Sequence, residues 1–262
     1  MKFLVVLTVC LAILSCQAKK SEYPPLTIAG STSVEPFAEK LAEVFMKEHP
    51  GVLINVQGGG SSAGIYACRQ GACQLGASSR ELVESEKELI EIPIAWDGIA
   101  IIVHPSNPLK NLTLKELRQI FLGALKNWQD LGWGPQAIHV ITREEGSGTR
   151  ETFEHIVMEK KEITPGALVQ DSNGSVREIV AADPYALGYI SVGLVDDRVK
   201  ALSIDGVAPT PENIQSKRYQ LARRFLLVSR SEPTGLAKKF IDFILSPPGQ
   251  RLLTLEGLVA VR

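Results

Sequence analysis

The 262-residue chain has almost no excess of either charge: 28 lysines and arginines stand against 29 aspartates and glutamates, a formal net charge of −1. That balance offers no global attraction for nucleic acid, so any anion site must be local. Histidine and cysteine are scarce at four each, and no His or Cys cluster has metal-ligand spacing, so neither a structural zinc site nor a resident cofactor is expected. Beyond the N-terminal stretch no apolar run is long enough to span a bilayer, which takes about 20 residues. Internal repeats, low-complexity tracts and coiled-coil heptads are also missing. With 45% hydrophobic and 22% charged residues, the chain is too apolar to be disordered. What is left is a globular chain with a large core, and at this size two lobes of roughly 100 to 130 residues are expected rather than one.

The first residues read as an export signal. Lys2 supplies a positive charge, Phe3 to Leu14 form an apolar run, and Ser15-Cys16 end it. Ile13-Leu14-Ser15-Cys16 resembles the bacterial lipobox, which implies removal of residues 1–15, lipidation of Cys16 and a polar tether over residues 16–24. Cys10 lies within the signal, so Cys68 and Cys73 are the cysteines of the folded part. In an oxidising compartment a local disulfide between them is the favoured reading, with two buried free thiols as the alternative.

From Leu26 onward short apolar runs alternate with amphipathic stretches. Leu26–Gly30 reads as a strand, Pro36–His49 as a helix with Phe37, Leu41, Val44 and Phe45 at helical spacing, and Glu81–Glu88 as a charged, exposed helix. The second half repeats the rhythm, with a helix at Thr113–Phe121 and strands at Ile138–Thr142 and Gly188–Val192. Strand, helix, strand in that order predicts an α/β fold with largely parallel sheets. The apolar segments Gly98–Val103 and Phe225–Val228 are candidate crossings between lobes, which would make one lobe discontinuous.

Four strand ends are followed by Ser, Thr and Gly clusters: Gly30-Ser31-Thr32-Ser33, Gly58-Gly59-Gly60-Ser61-Ser62-Ala63-Gly64, Ser78-Ser79-Arg80 and Gly146-Ser147-Gly148-Thr149. Glycine lets backbone N–H groups approach a ligand, hydroxyls add donors, and a helix N-terminus carries unsatisfied N–H groups. One such cluster is an ordinary helix cap. Four of them at strand ends predict a crevice lined with neutral donors for a tetraoxyanion. Arg143 stands just before the last cluster, where its guanidinium can grip two oxygens, and Glu145 is a candidate to hold it. Arg150 is expected to pair with Glu154 at i+4.

These blocks, together with Trp96-Asp97-Gly98-Ile99-Ala100, Arg143-Glu144-Glu145-Gly146-Ser147-Gly148-Thr149-Arg150-Glu151, Ser172-Asn173-Gly174 and Gly188-Tyr189-Ile190-Ser191, resemble the phosphate-binding proteins of bacterial high-affinity phosphate ABC transporters. The resemblance runs from about Leu26 to the C-terminus. It implies the type II periplasmic binding protein fold: two α/β lobes joined by a two-crossing hinge, with the ligand in the cleft. Lobe 1 is expected over residues 25–97 and 203–262, and lobe 2 over 98–202. Carried over by motif, the phosphate ligands are Ser31, Thr32, Ser33, Ser61, Ser79, Arg143, Ser147, Gly148 and Thr149. Where other members have an aspartate after Gly-Ala-Ser, this chain has Ser79, so recognition of the phosphate proton needs another group, and Asp97 is the candidate acceptor. The implied function is capture of inorganic phosphate outside the cytoplasmic membrane and delivery to an ABC permease. The protein would be a non-enzymatic monomer on a lipid anchor, periplasmic or at the cell surface, without nucleic-acid partners.

Two alternatives keep part of this evidence. The same fold could take sulfate or molybdate. Gly60-Ser61-Ser62-Ala63-Gly64 also fits the G-x-S-x-G elbow of serine hydrolases, although His104, His139 and His155 fall in a turn, a strand and a helix rather than after a late strand.

Overall fold

In the computed structural model, which describes residues 23–261, the apolar runs become strands and the amphipathic stretches between them become helices. The signal and Cys16 lie outside the described residues. The chain first winds β1 (Leu26–Gly30), α1 (Glu35–Glu48), β2 (Ile54–Gln57), α2 (Ser61–Gln70) and β3 (Leu75–Ser78). β1 lies parallel between β2 and β3. α1 buries Phe37, Ala38, Leu41, Ala42 and Phe45, one stripe at helical spacing. The helix expected over Glu81–Glu88 is only a 3-10 turn at Glu84–Glu86, because Leu82 is the one buried side chain of that stretch and a single anchor gives no apolar stripe to hold a helix against the core.

The 14-residue strand β4 (Ile90–Val103) then carries the chain out of this lobe. The second lobe holds β5 (Asn111–Leu112), α3 (Leu114–Phe121), β6 (His139–Arg143), α4 (Gly148–Phe153), β7 (Leu168–Gln170), α5 (Asn173–Ala182), β8 (Ala186–Ser191), β9 (Lys200–Ile204) and α6 (Pro211–Gln215). α3 begins at Thr113, whose hydroxyl accepts the Glu116 N–H while Glu116 reaches back to the Thr113 N–H. The chain returns through β10 (Ala222–Ser229) and closes with α7 (Gly235–Leu245) and α8 (Pro247–Leu255).

The main sheet path runs β2-β1-β3-β10-β4-β8-β6-β7. β4 is shared: residues up to Gly98 pair with β10, and Ile99 onward pair with β8 and β9. Packing divides at the same place. Ile94, Ala95, Phe225 and Leu227 belong to the core around α1, α7 and α8, whereas Ile99, Ile101, Ile214, Tyr219 and Leu221 belong to the core of the second lobe. Each fully buried Leu, Ile or Phe contributes about 1.5 to 3 kcal/mol, so these memberships fix where each segment sits.

The lobes therefore exchange chain at Asp97–Gly98 and at Leu221–Arg223. Residues 203–221, expected in lobe 1, pack with lobe 2. β9 does not leave, because it pairs with β4 and β5, and the segment after it buries Ile214, Tyr219 and Leu221 in the same core.

Candidate functional site

Strand order brings the loop clusters to one place. The turn after β1 supplies Ser31, Thr32 and Ser33; the start of α2 supplies Ser61; the end of β3 leads into Ser79. From the other lobe, the end of β6 supplies Arg143, and the turn into α4 supplies Ser147, Gly148 and Thr149. Ser31, Ser33, Ser61, Ser79, Arg143, Ser147 and Thr149 are all buried. Polar side chains are seldom buried together unless they satisfy one another or a ligand.

Much of this set is in mutual contact. Ser31 Oγ donates to Ser79 Oγ at 2.9 Å, Ser79 N–H donates to Ser61 Oγ at 3.1 Å, and Ser33 Oγ lies 2.8 Å from Thr149 Oγ1 across the cleft. Ser147 caps α4 by accepting the Arg150 N–H. Two glycines are required by close approach. A side chain at Gly148 would collide with Ser61 Oγ at 2.3 Å and Ser79 Oγ at 2.8 Å. Gly30, at φ +139°, turns the chain out of β1 with Ala77 O only 2.3 Å from where a Cβ would stand.

Arg143 is gripped from one side. Glu144, not the expected Glu145, takes Nε and Nη2 at 2.8 Å each, and Nη2 also donates to Thr32 Oγ1 and to Asp171 O, both at 3.1 Å. The Tyr189 hydroxyl lies 2.8 Å from Thr142 Oγ1 and accepts the Arg143 N–H, and burial pushes its pKa up to about 12. Arg143 Nη1 is buried with no hydrogen-bond partner. Arg150 pairs with Glu154 at 2.7 Å, as its spacing implies.

Asp97, the candidate proton acceptor, is fully buried and paired within the protein. Its Oδ1 accepts from Ser191 Oγ at 2.8 Å, its Oδ2 accepts from Arg223 Nε at 2.9 Å, and Arg223 Nη2 completes the ion pair 2.9 Å from Oδ2. Both carboxylate oxygens are thus engaged by protein groups at the hinge. Burial pushes its pKa up, against the opposing pull of Arg223 and Ser191. Arg223, unremarkable in the sequence, extends from this pair to Ser33 Oγ and to Ser79 O, both at 3.2 Å. Asn173, quoted only as part of a motif, reaches Ser33 Oγ at 2.9 Å.

The lobes also meet beside the site. Arg80 Nε lies 2.6 Å from Glu151, while Glu86 takes its Nη1 and Nη2 at 2.7 and 2.9 Å. Ser62 donates to Glu151 Oε1 at 3.0 Å and, through its backbone, to Gly146 O at 3.1 Å. The arrangement can hold an anion between closed lobes.

Ser61 Oγ is engaged by Ser79 rather than by a histidine, and His139 instead contacts Asp183 at 2.6 Å. Cys68 and Cys73 are both free and buried rather than joined as expected. Their thiols interact directly: Cys73 draws the Cys68 pKa down to about 7, and the Cys73 thiol is pushed up in turn. Among the described residues, no three His, Cys, Asp or Glu side chains cluster as metal ligands, and no helix is long and apolar enough to cross a membrane.

Comparison with known proteins gives a consistent result. The PBP superfamily domain matches residues 16–248. Phosphate-binding protein PstS of Bacillus subtilis (strain 168) is 36% identical over 253 residues, covering 94% of this chain and 84% of the relative. Among solved structures, one described as a phosphate ABC transporter substrate-binding protein with bound phosphate, from Clostridium perfringens, superposes with a TM-score of 0.88. It is 42% identical, and the match covers 91% of this chain and 100% of the other. An ABC-type phosphate transport receptor from Vibrio cholerae gives a TM-score of 0.75 at 38% identity, with 89% and 99% covered.

Proposed function

The chain belongs to the PBP superfamily and, within it, to the phosphate-binding PstS proteins, and on that premise we propose that it binds inorganic phosphate between its lobes and hands it to an ABC permease for import. The observation that carries this reading is Arg143 Nη1, a buried cationic donor with no protein partner, on a guanidinium whose Nη2 donates to the Thr32 hydroxyl. Burying a charged donor unsatisfied is costly, and an anion oxygen relieves that cost. Ser31, Thr32, Ser33, Ser61, Ser79, Ser147, Gly148 and Thr149 complete a set of donors suited to four oxygens.

Capture without turnover follows from the same chemistry. Ser61 Oγ is engaged by the hydroxyl and backbone N–H of Ser79, so no general base stands ready to make it a nucleophile. Calorimetric titration of the purified protein with phosphate, sulfate and molybdate tests the reading. Saturable one-to-one binding, tightest for phosphate, is expected; no saturable heat with phosphate would overturn it.

Export and a lipid anchor on Cys16 belong to the same proposal, supported by the N-terminal sequence pattern, and the protein is proposed to act as a monomer. Mass analysis of the protein from membranes should find it beginning at a lipid-modified Cys16. Cys68 and Cys73 are proposed to close into a disulfide after export, supported by the contact of their thiols.

A further inference from the structure

Three polar groups meet at Ser33 Oγ, and two of them can only donate to it. Arg223 Nη2, 3.2 Å from Ser33 Oγ, can only donate. Asn173 Nδ2 donates at 2.9 Å, and its amide cannot be turned over, because Asn173 Oδ1 accepts the Ser191 backbone N–H at 3.1 Å. A hydroxyl has two acceptor positions and one proton. Both acceptor positions of Ser33 are therefore taken. Its proton alone remains, for Thr149 Oγ1 at 2.8 Å or for an anion oxygen.

The same accounting gives a different answer at Ser79. Ser31 Oγ accepts the Ser33 N–H at 3.2 Å and passes its own proton to Ser79 Oγ at 2.9 Å. The other hydroxyl near Ser79 is Ser61, at the long distance of 3.4 Å. With the Ser61 proton turned to the anion rather than across that long contact, Ser79 keeps one acceptor position and one proton. Arg223 itself is fixed by Asp97, which stands directly opposite it in the β4–β10 ladder, and by Ser79 O, to which Nη1 donates.

We propose that Arg223, held by Asp97 at the hinge, is a positioning residue that commits Ser33 to donating and so leaves Ser79 to accept the proton of a bound phosphate. The inference rests on the phosphate reading of the site. In mildly alkaline buffer, phosphate is a monohydrogen dianion and sulfate an unprotonated dianion of the same shape. A site made only of donors serves both alike. One acceptor position favours phosphate without the like-charge penalty that a carboxylate would impose on sulfate.

The test measures affinity for phosphate, and for sulfate by competition, in the full chain and three variants in that buffer. Ser79→Ala should lower phosphate affinity by roughly fivefold, the worth of one hydrogen bond, and sulfate affinity by less than half as much. Ser33→Ala should lower both by the same factor. Arg223→Lys can still answer Asp97 but cannot bridge Asp97, Ser33 and Ser79 O together. It reopens an acceptor position on Ser33, so sulfate should weaken more than phosphate and the preference for phosphate should rise by roughly fivefold.

An unchanged phosphate-to-sulfate ratio in Arg223→Lys, with only the melting temperature lowered, would make Arg223 structural and overturn the inference. Should that variant not fold, the serine pair decides: a ratio unmoved by Ser79→Ala, or moved by Ser33→Ala, overturns it. Failure of the parent to bind phosphate would remove the functional reading along with it. Normal phosphate binding with unpartitioned variants would remove this inference alone.

Discussion

Arg143, at the end of β6 in the second lobe, and Arg223, on the hinge strand β10, are both buried beside the same cleft, and a carboxylate holds each of them. Every nitrogen of Arg223 meets a protein acceptor, namely Asp97, Ser33 Oγ and Ser79 O, whereas Arg143 keeps Nη1 without one. Moving a charge out of water is expensive unless the protein pairs it. Arg223 and Asp97 offset that cost within the fold and form part of the frame. Arg143 is only partly compensated, and a partly compensated buried cation is how a protein can hold an anion site ready without a large net charge.

The largest effect should come from breaking the frame. Arg223→Ala leaves Asp97 buried and unpaired, and loss of one partner of a buried ion pair costs about 3 to 5 kcal/mol of stability, readable by urea unfolding. The corresponding change at Arg143 should spare stability and strike affinity. Arg143→Ala should weaken phosphate binding by roughly 10- to 150-fold, the worth of hydrogen bonds to a charged group, in a calorimetric titration. Equal stability losses in the two variants would erase the distinction between frame and receptor.

A smaller effect is expected where the lobes clasp. Glu151→Gln weakens the bridge to Arg80 and Ser62, while Arg80 keeps Glu86. Because Glu151 is partly exposed, phosphate affinity should fall by only roughly two- to fivefold, seen as faster release in stopped flow. An unchanged release rate would assign the clasp no part in closure.

The smallest expected effect lies at the far end of α2. In the reduced protein, the thiolate is the reactive form and its fraction grows as pH rises through the Cys68 pKa of about 7, which the Cys73 thiol sets with help from Arg230. Alkylation of Cys68 should therefore reach half its maximal rate near pH 7, well below the usual cysteine value of about 8.5. Both cysteines line a cavity of about 320 Å³ that gives the reagent room, and phosphate binding should be unaffected. A midpoint at the ordinary value would contradict the coupling.

How much of this was legible in the sequence depended on whether a residue acts within its own segment. Ser31, Ser61, Ser79 and Ser147 follow strand ends and carry glycine with them, so their clustering could be read from spacing. Arg150 with Glu154 was legible for the same reason. Arg223 was not, because nothing in Leu221-Ala222-Arg223-Arg224 separates a buried arginine from the half-buried ion-pairing one that follows it; only the antiparallel register with Asp97 does. The partner of Arg143 was misjudged by one residue, since the strand end turns Glu144 rather than Glu145 toward the guanidinium. The hinge boundary was missed because a strand that stays and a strand that crosses share one apolar pattern, and sheet pairing decides between them.

Small-angle scattering with and without phosphate tests closure of the lobes around the anion most directly. Saturating phosphate should reduce the radius of gyration of the parent protein and leave that of Arg143→Ala unchanged at the same concentration. An identical radius of gyration for the parent in both conditions would contradict the account.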